Sequence, residues 1–328
     1  MRSTAFLKRS PVKIKGSKKL YEAIASKKSF LIGAHVRPDG DAWGSMAAMA
    51  RLLTTLGKTV AISGEREKAG VYGFLLDGLS FDLSGSWEAF IALDCGAQNR
   101  IAGLQGNENL PLFNLDHHSD NNSFGTINVV EPSLSSTAEL IWHLSQEWAV
   151  PSLPLAFYRA VYTGMMTDTG NFSFSNTTGK TLRAAADLVD IMGSPADLYA
   201  RVYHSLSLQQ LLIRGRVLSR MRLYSRGKLG VSHITLQDLQ ELGLTYDDLE
   251  GVADILRSVD GVEVYILMKE QKGSIRLSIR SKGTVPVRQF AAAACDEGGG
   301  HDFAAGASLR GGLEKAEDMI VSYWEDRL

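Results

Sequence analysis

Short apolar runs that end on a polar or acidic residue recur through the first two-thirds of the chain, with helical stripes between them. The first run, Phe30-Leu31-Ile32-Gly33-Ala34, leads directly into His35-Val36-Arg37-Pro38-Asp39-Gly40-Asp41. Positions 42–56 then carry Met46, Met49, Leu52, Leu53 and Leu56 on one stripe closed by Gly57, which predicts a helix with its methionines in the core. Strands are predicted at 59–63, at 89–93 ending on Asp94, and at 112–115 ending on Asp116. A short helix over 18–27 precedes the first strand, and further helices are predicted at 136–148, 155–167 and 178–192. Strands alternating with helices imply an α/β fold: a parallel sheet with helices on both faces.

Near residue 205 the pattern changes. A helix at 207–221 precedes a hairpin-like pair, 222–225 and 229–234; helices follow at 236–242 and 246–259, then two long strands, 263–269 and 274–281. A helix at 287–294, a Gly-rich turn, a short strand at 307–310 and a helix from Leu313 complete the chain. This reads as a catalytic domain over 1–204, a helical linker over 205–222 and a smaller α/β domain over 223–328.

Composition narrows the class. At 328 residues two domains are the natural expectation, and 45% apolar with 22% charged residues is ordinary globular usage. A net charge of −1 argues against affinity for long duplex nucleic acid, yet leaves room for a short anionic substrate in one basic cleft. Cys95 and Cys295 make no disulfide framework and read as buried residues of a reducing compartment. No apolar run reaches the roughly 18 residues of a membrane span, and the N-terminus lacks the apolar core of a signal peptide. A cytoplasmic protein without membrane partners is expected. The basic arm (Arg2, Lys8, Arg9, Lys13, Lys15, Lys18, Lys19) reads as a solvated extension.

The candidate chemistry lies in the strand-end turns. Pro38 keeps Arg37 out of the helical region and Asp39-Gly40 signals a turn, so His35, Asp39 and Asp41 sit on a loop at a strand's carboxyl end. Open parallel sheets keep their chemistry there. Asp94, Asp116-His117-His118 and Asp168 add three more places with metal-capable side chains. Each alone is a common cap or turn residue, but one sheet edge gathers them all, and the gathered charge needs compensation. Carboxylates and imidazoles without thiolate suit Mn²⁺, Mg²⁺ or Co²⁺. The donors exceed what one ion needs, which points to two divalent cations sharing a carboxylate, Asp94 or Asp168. His143, His204 and His233 lie outside these motifs and read as structural. Arg100 reads equally as a substrate contact or a helix cap.

In 274–280 Ile275, Leu277 and Ile279 alternate with Arg276, Ser278 and Arg280, so one face is apolar and the other polar. Gly298-Gly299-Gly300 allows close approach of backbone N–H groups to a phosphate, and His301 adds a donor.

Taken together, H-V-R-P-D-G-D-A (35–42), L-D-C-G at Asp94, D-H-H (116–118), T-D-T-G-N-F (167–172) and G-G-G-H-D-F-A-A-G (298–306) resemble the motifs of the DHH/DHHA1 phosphoesterases, in their usual order. The length resembles that of the nano-RNase and pAp phosphatase branch. The resemblance implies that His35, Asp39 and Asp94 hold one ion and that Asp41, Asp94, His117 and Asp168 hold the other, most simply Mn²⁺, with Asp94 shared. It implies that Asp116 orients a histidine, that His118 faces the substrate as phosphate contact or proton donor, and that Arg280 and His301, with Ser278, Gly299, Gly300 and Arg310 beside them, bind the substrate. The expected activity is metal-assisted hydrolysis of oligoribonucleotides of about two to five residues, with removal of the 3′-phosphate of pAp. Hydrolysis of cyclic di-AMP or pApA is the nearest alternative, a non-catalytic nucleotide-binding module the next, and a homodimer is compatible with all of them.

Overall fold

The computed structural model describes residues 12–249, 251–283, 285–293, 296–300 and 302–328. His301, Cys295 and positions 1–11 of the basic arm, singled out above, lie outside them. The chain divides into two compact units, one running to Ser205 and one spanning Leu206–Leu328. Among the described residues no helix is long and apolar enough to cross a membrane.

The first unit runs α1 (Ser17–Ala25), β1 (Ser29–Ala34), α2 (Gly40–Thr55), β2 (Thr59–Ile62), β3 (Ala89–Leu93), β4 (Leu112–Asp116), β5 (Ile127–Val130), α3 (Thr137–Glu147), α4 (Leu155–Asp168), α5 (Gly179–Met192) and α6 (Ala196–Tyr203). Its five strands lie in the order β2-β1-β3-β4-β5, all parallel. Alternation along each strand sorts the apolar residues onto two faces. Phe30, Ile32, Ile91, Leu93, Phe113 and Leu115 pack into the main helical core, whereas Leu31, Ala61, Phe90, Ala92 and Leu112 meet Ile101 and Leu104 from the segment between β3 and β4.

Because the strands are parallel, the ends of β1, β3 and β4 share one edge, and His35, Asp94 and Asp116 come with them. Helix α2 starts on that edge, its N-terminus capped by Asp39, whose Oδ1 accepts from the N–H of Asp41 and Ala42 at 3.1 Å. It is buried around almost its whole circumference because α4 crosses it closely. A Cβ on Gly44 would lie 2.7 Å from the Ala160 carbonyl oxygen, and one on Gly164 2.8 Å from Asp41 Oδ1. Glycine at both positions lets the two backbones meet and brings Asp168, at the end of α4, to the same edge.

The second unit runs α7 (Leu208–Ser219), β6 (Arg222–Tyr224), β7 (Leu229–Ile234), α8 (Leu236–Leu242), β8 (Val264–Gln271), β9 (Ser274–Ser281), α9 (Arg288–Ala293), β10 (Glu297–Gly300), β11 (Ala304–Arg310) and α10 (Leu313–Trp324). Its mixed sheet has the order β10-β11-β9-β8-β7-β6, with only β7 and β8 parallel. Ile213 and Val217 of α7 are buried against one face of that sheet, and Phe290, Ile320 and Trp324 against the other.

Two local expectations change. The helix predicted over 246–259 is two 3₁₀ turns, Asp247–Leu249 and Val252–Ser258, because Gly251 adopts φ +67° and breaks the helical path. The Gly-rich turn is instead edge strand β10, paired antiparallel with β11 through Gly299 opposite Gly306. A Cβ on Gly298 would sit 2.0 Å from the Ala291 carbonyl oxygen, so glycine is what admits this strand beside α9.

Candidate metal centre

The turn after β1 is tied to the segment after β3 by backbone bonds: Val36 N–H donates to the Arg100 carbonyl at 2.7 Å and Ala102 N–H to that of Ala34 at 2.8 Å. This pairing faces His35 toward Asp94. The His35 Nδ1 lies 3.0 Å from its neighbour's carbonyl oxygen at Val36, and Nε2 is 3.5 Å from Asp94 Oδ2 and 3.9 Å from Asp39 Oδ1. Asp94 directly follows β3 with φ +53°, a left-handed conformation that aspartate tolerates better than most residues.

The other oxygen of Asp94 faces a second group of imidazoles. Oδ1 is 3.7 Å from His117 Nε2 and 3.5 Å from His118 Nδ1. His117 Nε2 is also 3.6 Å from Asp168 Oδ2. Among the described residues, three sets of side chains bring donor atoms within 4.8 Å of one another: His35, Asp39 and Asp94; Asp41, His117 and Asp168; and Asp94, His117 and His118. All six side chains expected to bind metal are therefore gathered at one sheet edge.

Asp116, fully buried, takes a different part. Its Oδ1 accepts from the His117 backbone N–H at 2.8 Å and from His118 Nδ1 at 2.6 Å, and its Oδ2 accepts from Asn121 at 2.6 Å. The histidine it orients is His118. Asn114, buried in the middle of β4, donates to the Cys95 carbonyl at 3.1 Å and so ties the ends of β3 and β4 together. The Cys95 thiol points to the Ala97 carbonyl at 3.1 Å and belongs to none of the three donor sets.

Behind these residues lies the first turn of α3, which the sequence reading treated only as a helix start. Asp41 accepts from Thr137 N–H at Oδ2, 2.8 Å, and at Oδ1 from Ala138 N–H, 3.0 Å, and Ser45 Oγ, 3.3 Å. Thr137 Oγ1 donates to Asp94 Oδ1 at 3.2 Å. Asn176 donates to the Asp168 carboxylate at 3.2 Å and to the carbonyls of Asp168 and Ser135. A polar residue inside an apolar strand, as at Asn114, was the one sequence signal for this layer. Thr137 and Asn176 carried none.

The electrostatics reflect crowding. Burial raises the Asp41 carboxyl well above its ordinary value, and the negative charges of Asp94 and Asp168 push the same way. Asp168 is raised by burial and by Asp94 and Asp39. Burial alone would lower His35, but Asp39 and Asp94 outweigh it and raise the imidazole to about 11. His118 is likewise raised against burial, to about 9, by Asp116 and Asp94. Protons thus carry the compensating charge that the carboxylates require. A set of carboxylates and imidazoles in this condition fits divalent cations, which supply that charge with less demand on each group.

In the second unit, β9 alternates as expected. Ile275, Leu277 and Ile279 are buried, and Arg276, Ser278 and Arg280 are half-buried on the other face. Ser278 lies opposite Gly306, which lies opposite Gly299, so two bare backbone positions run in a row beside one hydroxyl between two arginines. Gly306 entered the sequence reading only as the last residue of the 298–306 motif. Arg280 is 3.5 Å from Asp254, while Arg310 is exposed at the end of β11, its N–H donating to Asp296 at 2.7 Å.

Comparison with known proteins agrees with this arrangement. Residues 29–165 match the family model for the DHH family N-terminal domain, and residues 228–325 match the DHHA1 domain. The chain is 31% identical to the bifunctional oligoribonuclease and PAP phosphatase NrnA of Thermus thermophilus, over 90% of this chain and 89% of that one. It is 29% identical to the protein of the same name from Bacillus subtilis, over 88% and 92%. Its fold superposes on an exopolyphosphatase-related protein from Bacteroides fragilis with a TM-score of 0.85 at 24% identity, covering 97% of this chain and 99% of that chain. The chain belongs to the DHH/DHHA1 family of phosphoester hydrolases.

Proposed function

We propose that the protein is a two-cation phosphodiesterase that degrades short oligoribonucleotides to mononucleotides and removes the 3′-phosphate of pAp. The observation that carries this reading is Asp94, whose two carboxylate oxygens face different donor groups, Oδ2 toward His35 and Oδ1 toward His117. A carboxylate so disposed suits two cations held close together. Support for the substrate class comes from two relatives, at 31% and 29% identity, that are named for these two activities.

His35, Asp39 and Asp94 would hold one cation, and Asp41, Asp94, His117 and Asp168 the other, with Mn²⁺ the best match to the donor chemistry and Mg²⁺ or Co²⁺ next. Bound there, the pair supplies Lewis-acid stabilisation of phosphoryl charge and lowers the pKa of water toward neutrality. Asp116 holds the His118 ring in place through Nδ1. His118 then serves as the proton source for the leaving oxygen when the bond from water oxygen to phosphorus forms and the ester bond breaks. Arg280, Ser278 and the backbone at Gly299 and Gly300 bind a phosphate or base of the substrate, with His301 and Arg310 as further contacts. The substrate is nucleotide-sized and the setting cytoplasmic, without a membrane partner, and the near-neutral net charge disfavours a long duplex partner.

The test is a panel: the purified chain with Mn²⁺ and pApA, short RNA, pAp or cyclic di-AMP. Fastest turnover on short RNA with clear activity on pAp supports the proposal. Fastest turnover on cyclic di-AMP, or no turnover on any substrate, removes it.

A further inference from the structure

We infer that Thr137 is a positioning residue that fixes the two carboxylates Asp41 and Asp94 relative to each other, with Glu139 anchoring the turn that carries it. Thr137 is fully buried and belongs to no donor set, yet it bonds to a member of each: its backbone N–H to Asp41 Oδ2 at 2.8 Å and its hydroxyl to Asp94 Oδ1 at 3.2 Å. Asp41 comes from the start of α2 and Asp94 from the end of β3, more than fifty positions apart in the chain. One residue at the head of α3 therefore sets the spacing and the tilt of both.

Glu139 explains why that turn can serve as a reference point. Its side chain is fully buried, and Oε2 accepts from Ser135 N–H at 2.9 Å, Ser135 Oγ at 2.6 Å and Thr181 Oγ1 at 3.1 Å. His143 Nε2 stands 3.5 Å from Oε1. A buried carboxylate is expensive unless donors offset its lost hydration, and here three of them converge on Oε2. The network ties Ser135, just ahead of α3, and Thr181 of α5 to Glu139 of α3, and the Ser135 carbonyl in turn receives Asn176, which also holds Asp168. All three carboxylates are thereby referred to one rigid turn. Hydrogen-bonding partners of ligand carboxylates typically change metal affinity 10–100-fold when removed.

The inference rests on the two-cation reading, and the experiment separates the two. Free Mn²⁺ is counted by EPR during titration of the metal-free chain, alongside the thermal midpoint, for wild type, Thr137→Val and Thr137→Ser. Valine keeps the shape of threonine and removes the hydroxyl; serine keeps the hydroxyl. The expected result is two bound Mn²⁺ in wild type, about tenfold weaker binding in Thr137→Val at an unchanged midpoint, and recovery in Thr137→Ser. Should Thr137→Val unfold, Thr137→Ala takes its place. A folded valine or alanine variant that binds Mn²⁺ as wild type does overturns the inference and leaves the two-cation reading standing. A wild-type chain that binds fewer than two ions overturns that reading, and the role assigned to Thr137 with it.

Discussion

Asp116 and His118, two positions apart, are joined by a 2.6 Å contact from Nδ1 to Oδ1 that fixes the imidazole against a fully buried carboxylate. The pair separates two jobs that adjacent histidines would otherwise share. His117 faces Asp94 and Asp168 through Nε2, whereas His118 is committed at Nδ1 to Asp116. Asp116→Asn should therefore lower kcat about 10²-fold, since a positioned proton donor contributes roughly 10²–10⁴-fold. Mn²⁺ binding should change little. Steady-state rates beside EPR-detected Mn²⁺ binding check this, and a large loss of Mn²⁺ with unchanged kcat would contradict it.

Asp94→Ala removes the carboxylate that faces both groups. Turnover should fall at least about 10³-fold, because Lewis-acid catalysis is worth several kcal/mol and each 1.36 kcal/mol is a factor of ten. The circular dichroism spectrum should match wild type. Wild-type turnover with Mn²⁺ in a folded Asp94→Ala chain would end the two-cation scheme.

Metal uptake should release protons. His35 is raised to about 11 in the metal-free protein, and Asp41 and Asp168 are raised as well. Its raised value means that the charge on His35 stabilises the metal-free fold fully below about 6.5 and is lost as pH rises toward 11. A ligand imidazole must be neutral, so cation and proton compete. Apparent Mn²⁺ affinity should rise between pH 6 and pH 8 (about tenfold or more), with more than one proton released per chain. Calorimetry in buffers of different ionisation enthalpy measures that number; zero release would refute the account.

Gly164→Ala probes the α2–α4 crossing. The added Cβ would sit 2.5 Å from Ala138 Cβ and 2.8 Å from Asp41 Oδ1. Overpacking of this kind costs about 1–3 kcal/mol. Both the thermal midpoint and Mn²⁺ affinity should drop, which distinguishes this position from a purely structural glycine such as Gly57, where a Cβ would meet nothing.

Asp238 sets an acid limit for the second unit. Burial opposes its ionisation, but Arg220, Arg216 and the N–H of Thr235 hold its carboxyl well below the usual range. A depressed value contributes stability above the ordinary carboxylate pKa of about 3.9, and that contribution is lost as pH falls below it. Asp238→Asn should cost about 1–2 kcal/mol near neutrality, because Arg216 and Arg220 keep access to water, and should flatten the acid limb of the unfolding curve. A steep acid limb persisting in the variant would show that another carboxylate controls it.

Much of the site was legible because its logic is local. His35, Asp39 and Asp41 fall within seven positions between the end of β1 and the first turn of α2, a little further into the helix than the expected loop. Asp94 and Asp116 close two apolar runs, so period-two strands bring them all to one edge without any knowledge of the loops between. The polar face of β9 followed from the same alternation. What tertiary structure alone decided has a different cause. The role of Thr137 depends on a helix start meeting two carboxylates from distant segments, and no spacing in the sequence encodes that meeting. Gly299 became strand rather than turn because Gly298 lies against Ala291 and Gly306 lies across from it, a packing condition invisible in a run of glycines. Local pattern chose the elements and their chemistry; the contacts between elements far apart in the chain chose which oxygen of each carboxylate faces which partner.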